Sequence, residues 1–267
     1  MNLLVAGGAT VDAGKTTFSV GLLDRVDGVG FKPRAGNDYW YDHDDYHAAV
    51  EDGRLYGKDA KRLVDASAGD HEPEAINPVH RLWRPAPGGG SGLLGRADRE
   101  FLVDRVGDDF VVNGRAALPD HAREHLPLAD ALVVDSLEEA NAVMERHHLQ
   151  AIRGLTEPVR ATDPAVVESY GDVALPIRTV EFDAVAVVDP GRARIFDGSR
   201  YAKAHQVAVG GPREGYLEET VQNVSNLMDP RATVALPALT SAERDDLAAV
   251  ADAYGEAYDE LLDVARA

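Results

Sequence analysis

The chain has 267 residues, 45% hydrophobic content, no cysteine and a formal charge of −19. That length and apolar share suffice to bury a real core, the missing thiols exclude any disulfide, and no apolar run is long enough to span a bilayer. The acidic surplus also argues against nucleic acid as a partner, since affinity there comes mainly from Lys and Arg neutralising phosphates.

Residues Leu3 to Thr17 (LLVAGGATVDAGKTT) place a short apolar strand, a Gly-rich turn and a Gly-Lys-Thr-Thr helix start one after another. This is the layout of a nucleoside triphosphate site. Consecutive backbone N–H groups of the turn aim at a polyphosphate, and the helix opening at Gly14-Lys15 adds its positive dipole end. Lys15 then reaches the β and γ phosphates, and Thr16 offers its hydroxyl to Mg²⁺. The common spacing sets its first glycine five residues before the second, where this chain has Ala9. Gly8 is the nearest usable glycine, so the expected loop is one residue longer: Gly8, Thr10, Val11, Asp12, Ala13, Gly14, Lys15 and Thr16, with Thr17 behind it. A chance Gly-Lys-Thr at an ordinary strand-to-helix turn is the bland alternative.

Apolar residues at helical spacing over Thr16 to Val26 predict a helix, and Val29 to Lys32 (VGFK), closed by Pro33, predict a short buried strand. Asn37 to Asp45 (NDYWYDHDD) reads as a polar, aromatic-rich loop, followed by short helices at Tyr46 to Glu51 and Lys58 to Ala66. Tyr39, Trp40, Tyr41 and Tyr46 form either a ligand wall or a packed loop cluster. Residues 85–98 have the composition of a flexible connection, a plain linker or a mobile flap. Residues 101–114 read as a hairpin around Gly107-Asp108-Asp109, taken as a peripheral insert. Ala131 to Val134 is an apolar strand ending at Asp135, and Ser136 with Glu139 stands at capping-box spacing before a helix through His147. Ala165 to Val167 leads to Glu168, and Ala184 to Val188 leads to Asp189, each a strand closed by an acid. A second hairpin is expected across Pro190-Gly191 from Val185 to Phe196, then a helix at Tyr216 to Leu227 and a last strand at Thr233 to Leu236. Thr240 and Glu243 are set to cap a long C-terminal helix reaching Ala265. Strands alternating with helices predict a single α/β domain over residues 1–267: a doubly wound, mostly parallel sheet with helices on both faces and two hairpin insertions. His43, His47, His71 and His80 fall near the expected pocket, but with no cysteine and no His-Glu-x-x-His spacing a zinc site is not expected.

Lysine occurs only at Lys15, Lys32, Lys58, Lys61 and Lys203. Such a Lys-poor, Asp/Glu-rich surface fits a protein kept soluble at very high salt, as in a halophilic archaeon, or simply an acidic protein.

The longer loop from Gly8 to Thr16 resembles that of the dethiobiotin synthetases, a P-loop ATPase family. Thr10 stands where the related partition and nitrogenase-type ATPases keep a second lysine. Val166-Val167-Glu168-Ser169-Tyr170-Gly171 with the following Pro176 is similar to the family stretch that delivers a strand-end metal carboxylate. The resemblance therefore ranks Glu168 ahead of its rivals Asp135 and Asp189 as the Mg²⁺ acid. Gly30-Phe31-Lys32-Pro33 matches the family's second strand, which implies that Lys32 contacts the substrate carboxylate and the transferred phosphate. Lys58-Asp59-Ala60 resembles the Ser-Asp-Ala opening a family helix, implying Asp59 as a second Mg²⁺ carboxylate; a helix-start charge favoured by the dipole is the equal alternative. Asn226 with Asp229-Pro230 resembles the family element in which Asn reads adenine, although a helical rather than a strand pattern precedes it here. Ile76-Asn77-Pro78 begins like the family segment ahead of the substrate pocket, and His80-Arg81-Leu82-Trp83 then departs from it. Arg34 to Trp40 also differs from the family's small Ser/Gly segment, so a different substrate is expected. An archaeal branch of such ATPases, with Lys-Pro-Arg-Ala-Gly-Asn-Asp-Tyr-Trp and Val-Val-Glu-Ser-Tyr, looks similar throughout.

With no basic stretch or apolar signal core ahead of the first strand, a cytoplasmic protein is expected. The resemblance implies a homodimer, with ATP (GTP being possible) and Mg²⁺ as cofactors, that phosphorylates a carboxylate-type oxygen of a small molecule. Lys15 and Lys32 are its catalytic residues, and Thr16, Asp59 and Glu168 its metal ligands. The alternatives are a nucleotide-switched regulatory ATPase or GTPase acting on a protein partner, or a simple metabolite kinase. Convergence of Lys32, Arg34, Asn37, Tyr39, Trp40, His80 and Arg81 in one pocket would favour the enzyme; scatter over a surface would favour the switch.

Overall fold

The computed structural model describes residues 1–8, 13–90, 93–95, 98–209 and 218–267. Among them run β1 (Asn2–Gly7), β2 (Val29–Phe31), β3 (Arg34–Asp38), β4 (Val79–Pro85), β5 (Arg99–Val106) and β6 (Asp109–Asn113). These are followed by β7 (Leu132–Val134), β8 (Ala165–Glu168), β9 (Ala184–Asp189), β10 (Arg192–Asp197) and β11 (Ala232–Ala235). The first helices are α1 (Lys15–Val26), α2 (His43–Glu51), α3 (Lys58–Asp65), α4 (Pro73–Ile76) and α5 (Asp120–His125). No helix of the described residues is long and apolar enough to cross a membrane.

The fold is α/β, but the single sheet expected from the alternation is replaced by two, each in its own compact unit. The first unit comprises Met1–Pro33, Arg62–His71 and Thr156–Ala267, and the second comprises Arg34–Lys61 and Glu72–Leu155.

In the first unit a six-stranded sheet has the order β11-β10-β9-β1-β8-β2. β1 sits at its centre, parallel to β8 through Leu3↔Val166 and Leu4↔Val167 and parallel to β9 through Val5↔Ala186 and Ala6↔Val187. Leu3 to Ala6 and Ala165 to Val167 are wholly buried, as continuous apolar runs of a sheet covered on both faces should be. β9 and β10 form the expected antiparallel hairpin across Pro190-Gly191, where Gly191 takes the left-handed φ of 81°. α1 packs its buried Phe18 edge-on against Tyr258 at 4.8 Å, and the Tyr258 hydroxyl donates to the Phe18 carbonyl at 3.0 Å. The Thr240–Glu243 capping box is present. The long C-terminal helix is instead three pieces, Ser241–Asp245, Leu247–Ala253 and Gly255–Arg266, because Asp246 leaves helical geometry and caps Ala249.

In the second unit the order is β3-β4-β5-β6-β7, with β3–β4 and β6–β7 parallel and the rest antiparallel. The hairpin expected over 101–114 forms, but it is no peripheral insert. β5 and β6 supply Leu102, Val103 and Phe110 to a core shared with Tyr46 and Val50 of α2, Leu55, Leu82 of β4, and Ala122 and Leu126. Burying such side chains stabilises by roughly 1.5–3 kcal/mol each, so this hairpin is a structural centre. The stretch 85–98, read as flexible, is tied at its ends by Ala86 N–H donating to Asp98 O at 2.9 Å, and its Leu93 is buried. Residues 91–92 and 96–97 of that stretch lie outside the described residues.

Candidate functional site

The centre of the first unit brings the strand-loop-helix segment up to β8 and β9. Gly14 precedes α1 with φ 85° and ψ 10°, the left-handed conformation that glycine adopts without steric cost, and among the described residues no side chain caps the helix N-terminus. An uncapped first turn carries backbone N–H groups and the positive dipole end, the features that attract an anion. Lys15 folds back across β1: a Cβ on Gly7 would lie 2.7 Å from Lys15 Nζ, so the side chain passes where only glycine leaves room. Its ammonium donates to the Gly171 carbonyl at 2.9 Å, in the turn after β8, where Gly171 has φ 55°. Thr10, Val11 and Asp12, the middle of the expected loop, lie outside the described residues. Ala13 is buried, and Thr17 is buried on α1.

Glu168 ends β8 fully buried. Its Oε1 accepts from the Thr16 hydroxyl at 3.0 Å and from the Lys32 ammonium, whose own side chain is only 4% exposed. Its Oε2 is buried with no hydrogen-bond partner. A buried carboxylate oxygen left unsatisfied costs on the order of 1–3 kcal/mol or more, so the arrangement is retained against its own stability. Lys32 is consequently no open cation: it is held by the carboxylate that the sequence reading assigned to the metal.

The three strand-end acids separate clearly. Asp189 is wedged beneath Gly8, where a Cβ would overlap its Oδ1, and its Oδ2 accepts from Arg192 Nε and Arg194 Nε, each at 3.1 Å. Gly8 N–H donates to Val188 O at 3.0 Å, extending the β1–β9 ladder. Asp135 belongs to the second unit, at the end of β7, where its backbone N–H is taken by Glu139 Oε2. Only Glu168 of the three accepts from Thr16.

Asn226 is exposed and follows the short helix Val221–Ser225, so helix rather than strand does precede it. Its neighbour Ser225 accepts from Arg194 Nη1 at 3.3 Å, which links this helix through Arg194 and Asp189 to Gly8. No sequence pattern marked Arg194; an arginine two residues along the return strand from a strand-end acid was its only trace. Asp59 stands in the first turn of α3, within the second unit.

The set Arg34, Asn37, Tyr39, Trp40, His80 and Arg81 all falls in the second unit and does not gather into one wall there. Trp40 is 73% exposed, whereas His80 is fully buried. Arg81 is committed to Asp104 through Nε and Nη2 at 2.6 and 2.5 Å and lies over Phe101 and Trp83. Tyr39 packs edge-on against His43 and Tyr46, both at 5.0 Å, so the packed cluster holds for Tyr39 and Tyr46, whereas Trp40 and Tyr41 stand in solvent.

The donor set Thr16 hydroxyl plus Glu168 carboxylate is all oxygen, and the orphaned Oε2 gives it an unused acceptor; hard oxygen ligands of this kind suit Mg²⁺. Compared with protein-family models, curated proteins and solved structures, the chain matches none.

Proposed function

We propose that the chain is a Mg²⁺-dependent, ATP-binding enzyme, similar to dethiobiotin synthetases, that activates a carboxylate-type oxygen by phosphoryl transfer. The observation that carries this reading is the buried cluster at the start of α1: Thr16 and Lys32 meeting on one oxygen of Glu168, beside Lys15 and an uncapped helix N-terminus. In the transfer the bond between the γ-phosphorus and the β-bridging oxygen breaks, and an acceptor oxygen bonds to that phosphorus, leaving a nucleoside diphosphate. Thr16 and Glu168 would hold Mg²⁺, which would supply charge neutralisation for the phosphates. The α1 N-terminus and Lys15 bind the triphosphate and stabilise charge growing on the leaving group. Lys32, held on Glu168 Oε1, would orient the accepting oxygen and neutralise charge on the transferring group. Positioning and charge stabilisation account for most of such catalysis, so no further base is needed.

The second reading, a nucleotide-switched ATPase or GTPase with a protein partner, draws on the exposure of Trp40 and Tyr41, 73% and 79%. Aromatic side chains standing in solvent are commoner at partner sites than in small-molecule pockets. One experiment separates the readings. The chain is incubated at high salt with Mg²⁺-ATP or Mg²⁺-GTP, with and without pooled carboxylic metabolites, and nucleoside diphosphate is measured. Acceptor-dependent release, lost in Lys15→Ala, supports the enzyme. Slow release indifferent to every acceptor supports the switch, and no Mg²⁺-dependent uptake of either nucleotide overturns both.

A further inference from the structure

The second unit holds a cluster that the proposed activity does not use. α2 carries His43, His47 and Glu51 at successive four-residue steps, and α5 carries His121 and His125 at the same step. Residues four apart share one helix face, so each helix presents a ridge of ligating side chains. The ridges meet. The His47 and His121 rings stack at 3.9 Å with 22° between their planes, and His125 follows His121 at 4.5 Å. One ligand atom each from His47, Glu51 and His121 lies within 4.8 Å of the others.

Two details point to an ion. His47 Nδ1 and Glu51 Oε1 are 3.1 Å apart, close to the ~3.3 Å that separates two ligands on a tetrahedral ion with bonds of about 2.0–2.1 Å. Both ring nitrogens of His121 are buried and lack a hydrogen-bond partner, an expensive state for an imidazole packed against other imidazoles.

We propose that His47, Glu51 and His121 bind a divalent transition metal of the zinc class that clamps α2 to α5, with a solvent molecule free to take the fourth position. Imidazole nitrogens with a single carboxylate and no thiolate select Zn²⁺-like ions over Mg²⁺ or Ca²⁺, which take all-oxygen shells. The helices already share a core through Tyr46, Val50 and Ala122, so the ion would lock a preformed contact. The site is independent of the nucleotide chemistry.

The test uses the full chain stripped with chelator and titrated with Co²⁺, then Zn²⁺, in high salt and excess Mg²⁺ so that the many surface carboxylates are occupied. A single Co²⁺ per chain is expected, with the strong visible bands of a four-coordinate site, displaced by Zn²⁺ and accompanied by a Zn²⁺-dependent rise in Tm. His47→Gln and His121→Gln should each weaken binding at least ~100-fold, while His147→Gln leaves it unchanged. Binding that survives the His47→Gln, His121→Gln double variant, or no saturable binding by the wild type, overturns the site. Should those variants fail to fold, the wild type decides alone: Zn²⁺ must shield the accessible His47 from diethyl pyrocarbonate, and equal modification of His47 with and without Zn²⁺ overturns the proposal.

Discussion

Each unit buries a carboxylate beside a cation, and the two are satisfied very differently. In the second unit Asp104, 1% exposed, receives Arg81 on both oxygens and His148 on Oδ2 at 2.6 Å. In the first unit Glu168 crowds Thr16 and Lys32 onto one oxygen and leaves the other bare. A fully bonded buried ion pair holds structure together, because removing one partner strands the other in a low dielectric. A half-bonded one has coordination capacity to spare. The contrast separates a structural carboxylate from one that can take up a cation, although burial alone makes them look alike.

The sharpest way to break this comparison is to neutralise each acid in turn. Glu168→Gln is expected to lower Mg²⁺-ATP turnover per folded molecule by about a hundredfold or more, the scale of losing one preorganised charge-stabilising group. Asp104→Asn should leave turnover of the folded fraction near wild type. Steady-state diphosphate release, normalised to folded protein by near-UV circular dichroism, reads both; equal losses in the two variants would erase the distinction.

Stability should respond in the opposite sense to that indifference. Asp104→Asn leaves the Arg81 guanidinium without its bidentate partner, at an expected cost of about 3–5 kcal/mol in denaturant unfolding. Burial by itself would raise the Asp104 pKa, but Arg81 and then His148 outweigh it and hold the group down to about 2. Because the folded pKa lies below the unfolded one, this carboxylate contributes stability that is full above the ordinary Asp range and is lost as pH falls toward the folded value. The stability gap between wild type and Asp104→Asn should therefore be constant near neutrality and narrow once the pH drops below about 4. A gap that stays constant to the acid limit would mean that Asp104 is not ionised against Arg81.

These clusters also show what a linear reading reaches. Strand, glycine turn and helix at residues 2–26 are contiguous, and their chemistry is local, so β1, α1 and the places of Lys15 and Thr16 are legible; apolar runs closing on an acid mark Asp135, Glu168 and Asp189 alike, and only the resemblance ranked Glu168 first. The second unit is not legible in the same way. Its sheet order depends on β4 pairing with both β3 and β5, and on β7 returning parallel to β6, pairings that no local period announces. The hairpin at 101–114 therefore looked like an ornament when it is a core. The histidine ridges at 43, 47 and 121, 125 each had a readable four-residue step, but their meeting required the packing of α2 on α5. A search limited to His-Glu-x-x-His spacing passed over them.

The smallest effect concerns the rival acid at the loop itself. Asp189 lies against Gly8 yet is spent on Arg192 and Arg194, with its side chain 16% exposed. Arg192 is 55% exposed, so solvent screens its share of the pair, and exposed ion pairs contribute about 0–1 kcal/mol. Asp189→Asn preserves the side-chain volume under Gly8 and can still accept from Arg194, so unfolding free energy should fall by no more than ~1 kcal/mol. Turnover should stay within about threefold of wild type, far from the loss expected for Glu168→Gln. A hundredfold loss in Asp189→Asn with Glu168→Gln nearly silent would transfer the metal role to β9, and the half-bonded state of Glu168 would then need another cause.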